Sequence, residues 1–141
     1  MNIGIILSFK ESMRILASAG QESRFVDYYM NAYAKNFDKI FVFSWEKEIY
    51  KFPQDNVILI PNKYGINKYL YIFLLPFIEY KVFKKVSILR LTQFTAIISA
   101  LIVKSMTGAK IIATYGFPYG SFLKVQGKFV KYYLWDFIES F

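Results

Sequence analysis

The chain has 141 residues, 55% of them hydrophobic and 21% aromatic, with a formal net charge of +8; that composition suits one domain with a packed core and excludes a disordered segment. Cysteine and histidine are absent from the sequence, which excludes disulfides, thiolate or imidazole metal sites, cysteine nucleophiles and most hydrolytic mechanisms built on an imidazole base. The positive charge points to anionic partners, but it is carried mostly by lysine, with only Arg14, Arg24 and Arg90 as arginines, so nucleic acid is not expected as a partner and an anionic membrane surface suits the chain better.

The chain opens on Ile3-Gly4-Ile5-Ile6-Leu7-Ser8, a short β-branched run that reads as a strand buried on both faces of a parallel sheet. It carries neither a basic leader nor a small-residue cleavage site. A polar loop is expected next, and then a helix starting at Ser18-Ala19-Gly20-Gln21-Glu22-Ser23-Arg24. Ser18 and Gln21 have the spacing of a capping box, and Phe25, Val26, Tyr29, Ala32 and Tyr33 recur at helical spacing as a core-facing stripe. A helix N-terminus beside the end of a parallel strand offers free N–H groups to an anion such as phosphate.

Ile40 to Ser44 reads as the second strand, after a helix stop at Asn36-Phe37-Asp38, and Asn56 to Ile60 as the third. The charged stretch between them, with Pro53, reads as a loop. Ile66 to Val86 is a long, mostly apolar helical region in which Pro76 predicts a kink, or two helices with Pro76 in the first turn of the second. Its far end, with Lys81, Lys84 and Lys85, reads as the solvated end of a buried crossover helix or as a basic, aromatic patch on a membrane face. Ser87 to Leu91 is the fourth strand, Phe94 to Met106 a helix stopped by Gly108, and Lys110 to Tyr115 the fifth strand. Gly116 to Gly120 is a turn-rich loop, and a last helix starts at Phe122. The most apolar stretches, Tyr69 to Ile78 and Ile97 to Val103, fall well short of the roughly 20 residues a membrane-spanning helix needs.

Strands alternating with helices imply an α/β fold: a Rossmann-like open parallel sheet with helices on both faces. Polar residues gather where the strands end: Ser8 and the loop to Arg24 after the first, Arg90, Thr92 and Gln93 at the fourth, and Thr114, Tyr115 and Gly116 at the fifth. In a doubly wound sheet these tips line one crevice. The pattern stops in a helix with no strand after it, so residues 1–141 read as a single domain truncated before its last strand, with strand five as an apolar open edge.

Three stretches carry a resemblance to a known family. Ile3 to Phe9 followed by Ser18 to Arg24, Ile88 to Gln93 before an Ala/Ile helix, and Ala109 to Phe117 together resemble the N-terminal half of family 4-like glycosyltransferases of the GT-B fold. The resemblance implies an acceptor-binding domain of an enzyme that moves a sugar from a nucleotide-sugar to a glycan or lipid-linked acceptor. It implies that Gly20 and Gln21 match the glycine-rich loop facing the reaction centre. It also implies that Arg24, at the end of that motif, and Arg90, Thr92, Gln93, Tyr115 and Gly116 line the acceptor side. The nucleotide-sugar donor would be held by a separate C-terminal domain, so the isolated chain is expected to be inactive. The resemblance names no catalytic residue and requires no cofactor or metal. Gly20-Gln21 stands where many members have two glycines, and Thr92-Gln93 where many have a histidine. The implied location is cytoplasmic, at the inner face of the plasma membrane. The residues leave two alternatives open. One is a stand-alone Rossmann- or flavodoxin-like module binding a nucleotide or a protein, although the full G-x-G-x-x-G fingerprint is missing after strand one. The other is a small membrane protein.

Overall fold

The computed structural model describes residues 1–114 together with 127, 131, 133 and 137; Tyr115, Gly116 and nearly all of the helix expected from Phe122 lie outside the described residues. Five strands form one all-parallel open sheet in the order β3-β2-β1-β4-β5. They are β1 (Ile3–Ile6), β2 (Ile40–Phe43), β3 (Val57–Ile60), β4 (Ile88–Leu91) and β5 (Lys110–Ala113). The fold is the expected Rossmann-like α/β fold. β1 lies at the centre because its run is wholly apolar and all four of its residues are buried. It pairs in parallel with β2 and β4 in one register, Ile3 opposite both Ile40 and Ile88. The winding reverses between β1 and β4, the switch point at which an open α/β sheet leaves a crevice.

The helices α1 (Met13–Ser18) and α2 (Asn31–Ala34) lie between β1 and β2, with a π-helical stretch, Arg24–Met30, running directly into α2. α3 (Lys68–Ile78) and α4 (Tyr80–Phe83) join β3 to β4, and α5 (Ile97–Thr107) joins β4 to β5. One sheet face carries Ile5 and Arg90 toward the π stretch. The other carries Phe43, whose ring stacks on Phe83 of α4 at 4.3 Å, and α3, α4 and α5 contact one another there. Helices therefore cover both faces. Gly4 belongs to the second face: a methyl group added to it would stand 3.0 Å from Leu89 and 3.2 Å from Val86, so glycine lets these side chains approach β1 closely.

The segment after β1 differs from the sequence expectation. The polar loop contains α1, whose N-cap is Ser12: its extended backbone lets Oγ accept from the Ile15 N–H. Ser18 ends this helix rather than starting the next, and its hydroxyl donates to the Ile15 carbonyl. Gly20, at φ 69°, is the stop. The Gly20 N–H donates to the Ala17 carbonyl and the Gln21 N–H to the Leu16 carbonyl, the paired closure of a helix that ends on a left-handed residue. The Ser18–Gln21 spacing thus marks a helix end; a capping box and a Gly-terminated helix share small and polar residues, and pairing to residues upstream decided between them.

The π stretch also changes which side chains face the core. Its wider turn brings Phe25, Val26 and Met30 inward, at a spacing of four to five residues. Tyr29 and Ala32, expected on the core stripe, are turned outward.

Pro76 sits in the last turn of α3 rather than the first turn of a second helix, and the break falls at Glu79. Proline has no N–H to give the Ile72 carbonyl four residues back. The buried Ser99 hydroxyl of α5 donates to that carbonyl instead, so the gap in α3 becomes a tie to α5. Glu79 is buried and pairs with Lys63 Nζ at 2.8 Å, which raises the Lys63 ammonium above its ordinary value. α5 is entered through one 3-10 turn, Phe94–Ala96, and ends at Gly108 as expected. Among the described strands β5 is an edge, and Ile112 on it is half exposed.

Candidate functional site

A crevice of about 410 Å³ opens at the C-terminal ends of β1, β4 and β5, roofed by α1 and the π stretch. Its floor is apolar, from Ile5, Leu16, Phe25 and Met30. The strand tips supply Ser8, Thr92, Gln93 and Thr114; the helical wall supplies Gln21, Arg24, Tyr29 and Tyr33; Glu11 and Arg90 complete the lining. The tips are tied across the sheet. The Ser8 and Thr92 hydroxyls lie 3.0 Å apart, the Thr92 N–H donates to the Ile6 carbonyl, and the Phe9 N–H donates to Thr95 Oγ1. The rim is thus pre-positioned on the sheet, as a binding site built on strand ends requires.

Two guanidinium groups face this space. Arg90 lies in β4, between Ile5 of β1 and Ile112 of β5 in the parallel register, and its guanidinium is 5.6 Å from the Tyr33 ring. Arg24 begins the π stretch, with its guanidinium 6.0 Å from the Tyr29 ring. Burial raises the Tyr33 hydroxyl above its ordinary value, against the opposing pull of Arg90. Among the described residues no carboxylate forms an ion pair with Arg24 or Arg90. Two nearby acids have partners of their own: Glu22 accepts from the Tyr50 hydroxyl at 2.7 Å, and Glu11 accepts from the Ser8 N–H. Burial, with Glu22 beside it, pushes the Tyr50 hydroxyl up to about 12.

Of the residues singled out in the sequence, Gln21, Arg24, Arg90, Thr92 and Gln93 meet in this crevice. Gly20 does not line it; it is the turn that delivers Gln21. Tyr115 and Gly116 lie outside the described residues. Tyr29, Tyr33 and Glu11 were not foreseen as lining residues. The signal for the tyrosines was their chemistry, since a plain core stripe would be served by leucine.

The chain forms an earlier helix N-terminus than the one expected within Ser18–Arg24. The helix that follows β1 starts at Met13, and the protein's own Glu48 occupies its end, one carboxylate oxygen accepting from the Met13 N–H and the other from the Arg14 N–H, each at 3.0 Å. Beside it lies a second, more open concavity of about 520 Å³ bearing Lys10, Arg14, Lys47 and Lys68 around Glu46. Glu46 pairs with Lys68 at 2.8 Å and Arg14 at 2.6 Å. Lys10, a non-glycine residue at φ 72°, donates to the Tyr69 hydroxyl at 2.6 Å. That bond, with Lys131 adding a smaller effect, lowers the Tyr69 hydroxyl below its ordinary value.

Among the described residues no cluster of acidic, histidine or cysteine side chains could hold a metal ion, and no helix is long and apolar enough to cross a membrane. Comparison of the chain with protein-family models, with curated proteins and with solved structures finds no match.

Proposed function

We propose that this chain is the acceptor-side half of a two-lobed glycosyltransferase, binding a glycan or lipid-linked acceptor at the ends of β1, β4 and β5. The observation that carries the reading is the crevice lining: hydroxyls and amides of Ser8, Gln21, Thr92 and Gln93 around an apolar floor, with tyrosine rings on the wall. A sugar presents hydroxyl edges and apolar C–H faces, and this arrangement offers partners for both. In transfer, the acceptor's hydroxyl oxygen bonds to the anomeric carbon of the donor sugar as the bond to the nucleoside diphosphate breaks, the diphosphate leaving with the bonding electron pair and taking up the hydroxyl proton. The nucleotide-sugar and its leaving diphosphate belong to a second lobe, so the chain's own task is to hold and orient the acceptor.

Titration of the full chain with cello- or maltooligosaccharides, followed by amide NMR, tests this. Saturable shifts confined to the crevice lining, with nicotinamide and flavin nucleotides leaving the same amides unmoved, are the expected result. Micromolar nucleotide binding with no response to sugars would replace this reading with a nucleotide-binding module.

A working position at the cytoplasmic face of an anionic membrane accompanies the proposal. Tyr69, Leu70, Phe73 and Phe77 are more than half exposed or close to it on the outer side of α3. Lys81, Lys84 and Lys85 follow at its end, Lys84 lying 5.6 Å from the Tyr80 ring. Aromatic rings beside lysines suit the boundary of an anionic bilayer. Co-sedimentation with phosphatidylglycerol vesicles is expected, and reduced by Phe73→Ser with Phe77→Ser. Equal sedimentation with phosphatidylcholine vesicles, or none with either, would remove the membrane from the proposal.

A further inference from the structure

We infer that the crevice takes an acidic sugar, its phosphate or carboxylate group held between Arg24 and Arg90; the inference rests on the sugar-acceptor reading above and narrows its substrate class. Arg90 occupies a strand position flanked on both neighbouring strands by isoleucine, on a sheet face covered by the π stretch. A guanidinium there loses hydration and, among the described residues, gains no carboxylate in return. An isoleucine would fill the row at no such cost. Stacking on Tyr33 accounts for part of the compensation, since a cation over a ring is a modest attraction, and it leaves the five N–H donors of the guanidinium for another acceptor. Arg24, exposed at the start of the π stretch, brings a second guanidinium from the opposite wall, 6.0 Å from the Tyr29 ring. Tyr29 and Tyr33 are one turn apart, so the two cations face the same space from two elements. Glu11 is the sole carboxylate among the described lining residues, so the crevice carries an excess of positive charge. Two planar guanidinium donors match the paired oxygens of a phosphate or carboxylate.

The test is calorimetric titration of the full chain with methyl glucoside, glucuronate, glucose-6-phosphate and inorganic phosphate. The acidic sugars are expected to bind about tenfold or more tightly than the neutral glucoside, the scale of one good charge-assisted bond. Arg90→Gln and Arg24→Gln are each expected to bring the acidic sugars to the glucoside's affinity, with circular dichroism unchanged. Arg90→Lys, which keeps charge without the planar fork, should recover part of the preference. Which acidic sugar binds more tightly tells a phosphate ligand from a carboxylate one. Equal affinity for neutral and acidic sugars overturns the inference and leaves the sugar-acceptor reading standing. An acid preference that survives both Gln variants overturns the assignment to Arg24 and Arg90. If inorganic phosphate binds as tightly as glucose-6-phosphate while the glucoside and glucuronate do not bind, both the sugar-acceptor reading and this inference fall.

Discussion

Replacement of Trp45 by alanine is expected to lower the free energy of unfolding by about 3–5 kcal/mol, the range for losing a large aromatic from a packed interior. Trp45 lies just beyond β2, is 1% exposed, and joins three segments distant in sequence. Its indole N–H donates to the Leu7 carbonyl at 2.8 Å, its backbone N–H donates to the Glu11 carbonyl, and its ring meets Phe9 and Tyr71 edge-on at 5.3 and 5.9 Å. One side chain thus holds the loop after β1 against α3. Alanine leaves a void there, and the Leu7 carbonyl loses its indole donor. Trp45→Phe keeps most of the ring and should cost less, about 1–3 kcal/mol, dominated by that carbonyl. Urea unfolding of the three proteins measures both. A loss below about 1 kcal/mol for the alanine variant would show that the segment folds without this contact.

Glu46→Gln is expected to cost about 2 kcal/mol at pH 7 and only a few tenths at pH 2. The hydrogen bond from Lys68, then those from Arg14 and Ser12, outweigh burial and hold the Glu46 carboxyl at about 2 against an ordinary value of 4.5. The folded protein therefore takes up this proton later than the unfolded chain does. The stabilisation is complete above the ordinary value, erodes as pH falls below it, and is largely gone near pH 2, where a protonated glutamic acid resembles glutamine. Unfolding curves of the two proteins should converge as the pH is lowered through that window. A gap that stays constant across it would show that Glu46 acts by shape rather than charge. Glu46 lines the basic concavity beside the crevice rather than the crevice itself, so the sugar titrations are expected to be little changed by this variant.

The crevice was readable where a residue's chemistry conflicted with its place in the pattern. Arg90, Thr92 and Gln93 stood out as polar residues gathered at the end of an apolar strand; all three line the crevice. Gly20 was drawn into the same group by its neighbours, and its left-handed backbone serves a helix end instead. Glu46 and Glu48 read as ordinary charges in a loop, yet Glu48 closes the N-terminus of α1 and Glu46 ties Ser12, Arg14 and Lys68 together. Nothing local announces such a role, because the partners are more than 20 positions away in each case.

The amino-acid sequence by itself determined the strands, their parallel arrangement and the winding that brings β1, β4 and β5 side by side, because buried apolar runs separated by helical crossovers admit few topologies. Tertiary structure alone decided the helix phase. Whether Ser18 begins or ends a helix, and whether Tyr29 faces the core or the crevice, depends on a turn closed by Gly20 and a π stretch that adds a residue to each turn. These are settled by small differences in how whole segments pack against the sheet, and a local pattern of polar and apolar residues carries too little free energy to choose between them.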